Sequence, residues 1–279
     1  MSKNHKSEYK LNNWVINTQK STIPSMKETE EFSIDSCLYS LSEELGIPPP
    51  EMTFLDSFVE LRDNDSDFKI SFNTRDALRG VSKKNELRVS YADHWANSTS
   101  NRQTEESSTI KPSQPWDWTY TTRYNGSTSN VFSTSNNVND TIPIDKLSDT
   151  NQPILFYDDV QLYEDELGDN GQVGLNVKIR VMPFGWFILQ RLFLRVDKVL
   201  FRMFDVRVYH EFNSGVVIRE STGLESSWDA VKQCLPPTDA TILSDEPTIQ
   251  ATLKMISKYA NEQCTKWDGL GSLLDVCKL

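Results

Sequence analysis

The stretch WFILQRLFLRVDKVLFRMFDVRVYHEF, Trp186 to Phe212, constrains this chain more than any other. Branched and aromatic side chains dominate it, no Pro or Gly interrupts it, and Asp197-Lys198 breaks it in the middle. Such a text predicts two long β-strands joined by a tight turn. Apolar runs such as Phe187-Ile188-Leu189 leave no face for water, so the hairpin sits centrally in its sheet. Before it, NVKIRVMP alternates Val177, Ile179 and Val181 with Lys178 and Arg180, and after it GVVIRE adds a strand. Nearer the N-terminus, MTFLDSFVELR and DFKISFN are also strand-like, the second alternating Phe68, Ile70 and Phe72 with Lys69 and Ser71.

Helices are predicted at both ends. In SIDSCLYSLSEELG, Ser33 caps a helix whose Ile34, Leu38, Leu41 and Leu45 form one stripe, Gly46 terminates it, and Pro48, Pro49 and Pro50 prevent its continuation. A short helix follows at TRDALRG, with Thr74 as cap and Asp76 in the first turn. Near the C-terminus, LESSWDAVKQC and SDEPTIQATLKMISKYAN are helical, the second placing Ile249, Leu253, Ile256 and Ala260 on one face. Strands in the middle and helices at the ends predict an α+β domain of antiparallel, sandwich-like sheets. No linker divides it, so a single domain is expected over 13–279, behind a polar, frayed segment 1–12.

Two Ser/Thr/Asn-rich tracts, near 96–115 and 127–141, lack the apolar surface to offset ordering entropy and are expected to be flexible loops. Between them lies WDWTYTTRYNG, residues 116–126. Trp116, Trp118, Tyr120, Thr122 and Tyr124 alternate with Asp117, Thr119, Thr121 and Arg123, which predicts a strand that docks on the main sheet.

Charge excludes some functions and suggests another. The 279 residues carry a net charge of −11, unlike a general nucleic-acid binder. No apolar run reaches transmembrane length, and the first ten residues lack a secretory h-region, so a cytoplasmic or nuclear protein is expected. Between Val177 and Arg219, however, eight Lys/Arg oppose three Asp/Glu, a net of +5. Arg195 and Arg202 stand out within the apolar hairpin, where an unpaired cation is costly. They either pair internally with Asp197, Asp205 and the acidic run, or line a basic, aromatic-rich cleft that accepts an acidic peptide.

Signs of catalysis are few. His5, His94 and His210 have no G-x-S-x-G to partner. Cys37, Cys234, Cys264 and Cys277 form no C-x-x-C pair and read as buried, reduced thiols, so no metal or other cofactor is expected. The run FYDDVQLYEDELGDNG holds six acidic residues between Asp158 and Asp169. It fails the calcium-loop pattern, because Leu167 occupies the third position from Asp165. It reads as a solvated acidic loop or partner surface; the alternative is a metal-dependent hydrolase built on Asp158, Asp159, Glu164 and Asp165.

The motifs PWDWTYTTRYNG, FYDDVQLYEDELGDNG, VKIRVMP, LFLRVDKVLFRMFDVRVYHE and FNTRDALRG resemble the TIPRL family of TOR-signalling regulators, also described as Tap-forty-two-interacting proteins, in the same order and with similar spacings over roughly residues 32–222. The resemblance implies a non-enzymatic regulator that binds the catalytic subunit of type 2A-like serine/threonine phosphatases, restrains it and opposes holoenzyme assembly. It also implies cooperation with the Tap-forty-two/alpha-four class, and a β-rich fold whose cleft receives the subunit's acidic C-terminal tail. By motif, the family's catalytic-subunit-binding positions fall on Asp76 in DALR, Met203 and Asp205 in RMFD, and Ile144 in PIDKL. A scaffold without inhibitory effect is a further alternative.

Overall fold

The computed structural model describes residues 4–23, 36–82, 118–135, 137, 140–236, 240–259 and 273–279. Two antiparallel sheets face each other. The smaller contains β1 (His5–Leu11), β2 (Trp14–Lys20), β4 (Phe58–Asp63) and β5 (Lys69–Asn73), in the order β1-β2-β4-β5. The larger contains β3 (Met52–Thr53), β6 (Ser133–Thr134), β7 (Phe156–Asp165), β8 (Gly171–Met182), β9 (Gly185–Val196), β10 (Leu200–Glu211), β11 (Val216–Ser227) and β12 (Leu273–Lys278). Its order is β3-β7-β8-β9-β10-β11-β12-β6. The predicted hairpin is therefore β9 and β10, paired from Gly185 with Glu211 to Val196 with Leu200, in the middle of the sheet. Lys198 turns the chain with φ of 62°, a left-handed residue of the kind a three-residue hairpin loop uses.

Period two divides the hairpin between two environments. Trp186, Ile188, Leu192 and Leu194 of β9, with Phe204, Val206 and Val208 of β10, pack against Trp14, Ile16, Val59, Leu61 and Ile70 of the smaller sheet. Trp14 meets Trp186 edge-on at 4.9 Å between ring centroids. This interior is the main core, and the molecule is an α+β domain rich in antiparallel sheet, as its sequence predicts.

The opposite, outer face of the large sheet is covered at its two ends. At one end lie α4 (Trp228–Cys234), a 3₁₀ turn (Ala240–Ser244) and α5 (Glu246–Tyr259). Ile249, Leu253 and Ile256 of α5 are buried on Phe193, Phe201 and Met203. Burial of such side chains is worth roughly 1.5–3 kcal/mol each, so several kcal/mol hold α5 in place. At the other end, Leu147 of α3 (Ile144–Ser148) and the preceding Ile142 pack on Met182, Phe187, Tyr209 and Ile218. Between the two coverings runs a row of half-buried side chains in register across four strands: Lys178, Leu189, Arg207 and Glu220.

Several expectations need correction. Residues His5–Leu11 are not frayed but pair with β2 throughout. Their polar composition hides an alternation in which Tyr9 and Leu11 pack on the core and Tyr9 stacks on Phe156 at 5.1 Å. The acidic run is not a loop: it forms β7, because Val160 and Leu162 are buried between its carboxylates. WDWTYTTRYNG is not a strand where it is described, from Trp118 onward. Thr119, Tyr120, Thr121 and Thr122 are each no more than 5 % exposed, so both parities are interior. Tyr120 has φ of 52°, and only an isolated bridge from Thr122 to Val81 is sheet-like. The hydroxyl of Tyr163 donates to the Tyr120 carbonyl at 2.8 Å, and the Tyr120 hydroxyl donates to the Pro49 carbonyl at 3.3 Å.

Smaller shifts concern helix ends. α1 (Ser36–Leu45) buries Leu41 and Leu45 and stops at Gly46, whose φ is 67°. Its expected cap, Ser33, lies outside the described residues, as do Ile34, Ala260, Trp116 and the tract 96–115. In the tract 127–141, Ser133–Thr134 is strand β6, paired with β12. The segment Leu224–Ser227 ends β11 rather than opening a helix. Among the described cysteines, Cys277 is buried but Cys234 is exposed at the polar end of α4.

Candidate functional site

The cap of α2 (Thr74–Arg79) is Asn73 rather than Thr74. The Asp76 backbone N–H donates to Asn73 Oδ1 at 2.9 Å and Asn73 Nδ2 donates to Asp76 Oδ2 at 2.8 Å, a reciprocal box that satisfies the helix start. Thr74 is buried and its hydroxyl donates instead to the Phe54 carbonyl at 2.7 Å. Asp76 also receives the Ser127 hydroxyl and Arg79 Nη1, the latter at 2.8 Å. Burial by itself would raise the Asp76 carboxyl, but the bonds from Ser127, Asn73 and Arg79 outweigh it and hold the group below its ordinary range. Asp76 thus ties the helix to the smaller sheet and the segment after Gly126.

Met203 and Asp205 lie on the outer face of β10 beneath α5. Met203 is 2 % exposed, opposite Phe193 and packed under α5. Asp205 is 3 % exposed and accepts four hydrogen bonds: Arg191 Nε at 2.8 Å, Arg191 Nη2 at 2.9 Å, Arg207 Nη2 at 3.0 Å, and Gln250 Nε2 from α5. Glu246 of α5 adds a 3.5 Å contact to Arg191 Nη1. Burial would lower the Arg191 guanidinium, but the bonds and charges of Asp205 and Glu246 outweigh it and raise it. Arg195 is half-buried on the same face, bound to Asp197 at 2.8 Å and donating to Ser244 at 2.7 Å.

Arg202 points the other way. Its position, one residue from Met203, turns it into the sandwich, where it binds Glu225 at 2.6 Å and Thr121 Oγ1 at 2.9 Å. It is therefore no part of an outer basic surface, and alternation along β10 carried that signal. Ile144 begins α3 at the far end of the outer face and is 52 % exposed. The six expected partner-binding residues do not converge: three are buried, two are half-buried, and only Ile144 is openly exposed.

Internal pairing accounts for most of the basic segment's charge. Arg207 also reaches Glu220 at 3.4 Å, Arg219 reaches Asp275 at 3.2 Å, and Lys178 reaches Asp159 at 3.4 Å. Lys254 of α5 overhangs the half-buried row; burial and the neighbouring Arg207 and Arg191 push its ammonium down. A cavity of about 220 Å³ between β7, β8 and Glu246 includes Glu164, Asp165 and Glu166 in its lining. Its carboxylates make it acidic, the opposite of the expected basic cleft.

The carboxylates proposed for metal chemistry separate as well. Asp158 binds Lys20 and accepts the Thr18 hydroxyl inside the sandwich, while Asp159 faces Lys178 outside. Asp165 accepts the backbone N–H groups of Glu51 at 3.0 Å and Leu167 at 2.7 Å. Burial, and then Glu246, push Glu164 up. Among the described residues no group of three or more His, Cys, Asp or Glu is arranged to hold a metal ion.

A family model described as the TIP41-like family matches residues 52–232. The chain belongs to the TIP41-like family. The matched residues include β3 to β11, α2, α3 and the first part of α4, and leave β1, β2, α1, α5 and β12 outside. Among TIP41-like relatives, the Saccharomyces cerevisiae protein named type 2A phosphatase activator TIP41 is 37% identical over 233 residues, which are 79% of this chain and 63% of that protein. The Dictyostelium discoideum TIP41-like protein is 36% identical over 266 residues, 90% of each chain. The Schizosaccharomyces pombe protein named type 2A phosphatase activator tip41 is 30% identical over 237 residues, 82% of this chain and 86% of that one.

Proposed function

We propose that this chain is a non-enzymatic regulator of type 2A-like serine/threonine phosphatases, acting in TOR signalling by binding the catalytic subunit, including its acidic C-terminal tail. The observation that carries the reading is the similarity, across most of the chain, to two fungal proteins named type 2A phosphatase activators. Those names point to activation, whereas the family resemblance implies restraint of the catalytic subunit, so the direction of the effect is the first quantity to measure. The reading favours inhibition, with the Tap-forty-two/alpha-four class as a cooperating partner and the cytoplasm and nucleus as the setting.

The test is retention of a purified type 2A-like catalytic subunit on the immobilised chain, with phosphatase turnover measured on the same complex. The expected result is stable retention and lower turnover. Failure to retain the subunit overturns the function, and retention with raised turnover replaces inhibitor by activator. Retention with unaltered turnover leaves a scaffold.

A further inference from the structure

Three strand connections meet at one end of the sandwich: residues 12–13 between β1 and β2, 64–68 between β4 and β5, and 212–215 between β10 and β11. They border a cavity of about 360 Å³ whose lining includes Asn13, Trp14, Asp63, Asp65, His210 and Phe212. The first two connections are tied together, since the Asn64 N–H donates to the Asn13 carbonyl at 2.8 Å and Asn13 Nδ2 donates to Asp65. The third is held at Gly215, whose carbonyl accepts the Leu279 N–H at 3.0 Å. Walls fixed in this way need little ordering when a ligand enters.

Acceptors dominate this cavity, and no Lys or Arg lines it. Asp63 takes the Asp65 N–H at 3.3 Å and the Ser66 hydroxyl at 2.7 Å, but among the described residues neither carboxylate has a basic side chain within 4 Å. His210 is the deciding group. It is 2 % exposed, with its ring centroid 4.7 Å from that of Trp14 and 6.0 Å from that of Phe212. A carbonyl can only accept, so the 2.7 Å contact with the Val216 carbonyl places the ring proton on Nδ1. In the neutral ring Nε2 is then an acceptor, and it has no hydrogen-bond partner among the described residues. A buried acceptor left unpaired costs roughly 1–3 kcal/mol, which a donor from outside the chain removes.

Charge and shape define that donor. Two carboxylates, a neutral imidazole and two aromatic rings favour a cation. Among the described residues no three His, Cys, Asp or Glu are arranged to hold a metal ion, so the acceptors do not converge on a point charge. A guanidinium spreads five N–H donors over a rigid plane and stacks on rings, and it spans acceptors that an ammonium cannot. We infer that the cavity between the three turns binds a guanidinium group, with Asp63 and Asp65 facing its charge, His210 Nε2 accepting one of its N–H groups, and Trp14 and Phe212 beside its plane. Two sources carry that chemistry, an arginine side chain of another protein and a free guanidino compound.

The experiment follows the imidazole nitrogen resonances of His210 by NMR while the full chain is titrated with N-acetylarginine amide. The same titration is run with methylguanidinium, N-acetyllysine amide and the uncharged isostere N-acetylcitrulline amide. The expected result is a saturable upfield shift of Nε2 with the arginine amide in the millimolar range, and none with the citrulline amide. The lysine amide should bind about tenfold more weakly or worse, and Asp65→Asn should weaken the arginine amide about tenfold, as loss of a charge-assisted bond does. Asp67→Asn, a carboxylate of the same connection outside the cavity lining, should change nothing. Methylguanidinium binding as tightly as the arginine amide supports the site with a free guanidino compound as ligand, and tighter binding of the arginine amide supports it with an arginine side chain. No shift of Nε2 with either guanidinium overturns the assignment. Equal binding of the citrulline or lysine amide, or equal losses in Asp65→Asn and Asp67→Asn, overturns it as well. If a lowered melting temperature shows that Asp65→Asn has failed to fold, the ligand series on the unsubstituted chain decides the outcome.

Discussion

Asp205 anchors a helix and two arginines at once. Its oxygens take Arg191 twice, Arg207 once and the Gln250 amide of α5. Removing one side of a buried ion pair leaves an uncompensated charge, so Asp205→Ala is expected to cost about 3–5 kcal/mol in urea denaturation. A drop in phosphatase binding by that variant would therefore report the seat of α5 as well as any contact. His210 makes a different prediction. It is buried beside Trp14 and Trp186, with Nδ1 2.7 Å from the Val216 carbonyl. Burial pushes its imidazole below the ordinary value, against smaller opposing effects from Val216, Asp63 and Glu211. The unfolded chain then takes up the proton first. Stability is complete above the unfolded histidine value of about 6.5 and falls as pH drops from there through the lowered folded value. Urea midpoints measured between pH 5 and 8 should show this slope, and His210→Gln should flatten it.

At the scale of elements, β8 to β11 were legible because their alternation and apolar density leave no competing pattern. The end of α1 was equally clear from Gly46. What the text obscured were contacts made at a distance. Tyr9 and Leu11 look isolated in a polar segment until Phe156 is placed beneath them. The alternation through Trp118 to Tyr124 imitates a strand, yet hydrogen bonds from Tyr163 to the Tyr120 carbonyl and from Arg202 to the Thr121 hydroxyl hold that segment between the sheets. For the candidate site, the arginines were visible but their partners were not, since Arg191 meets Asp205 only through the β9–β10 register. The same register makes Gly185 irreplaceable. A Cβ there would sit 2.2 Å from the His210 carbonyl oxygen. Gly185→Ala is expected to cost on the order of 1–3 kcal/mol through forced backbone displacement, read as a lower melting temperature.

For the whole molecule, the family match extends over the centre of the large sheet, while elements outside it complete both layers. β1 and β2 supply half of the smaller sheet, and β12 lies between β11 and β6. Deleting residues 273–279 should therefore do more than shorten the sheet. It bares the long edge of β11 and removes the partner of β6, so the truncated chain is expected to self-associate in sedimentation velocity where the intact chain does not. The same pairing sets an order of assembly. Val216 finds its partner in Lys278, so a chain emerging N-terminus first must hold β11 with a row of unpaired N–H and C=O groups until the last strand arrives. Folding should be slow and sensitive to protein concentration, with chaperone dependence concentrated in that interval.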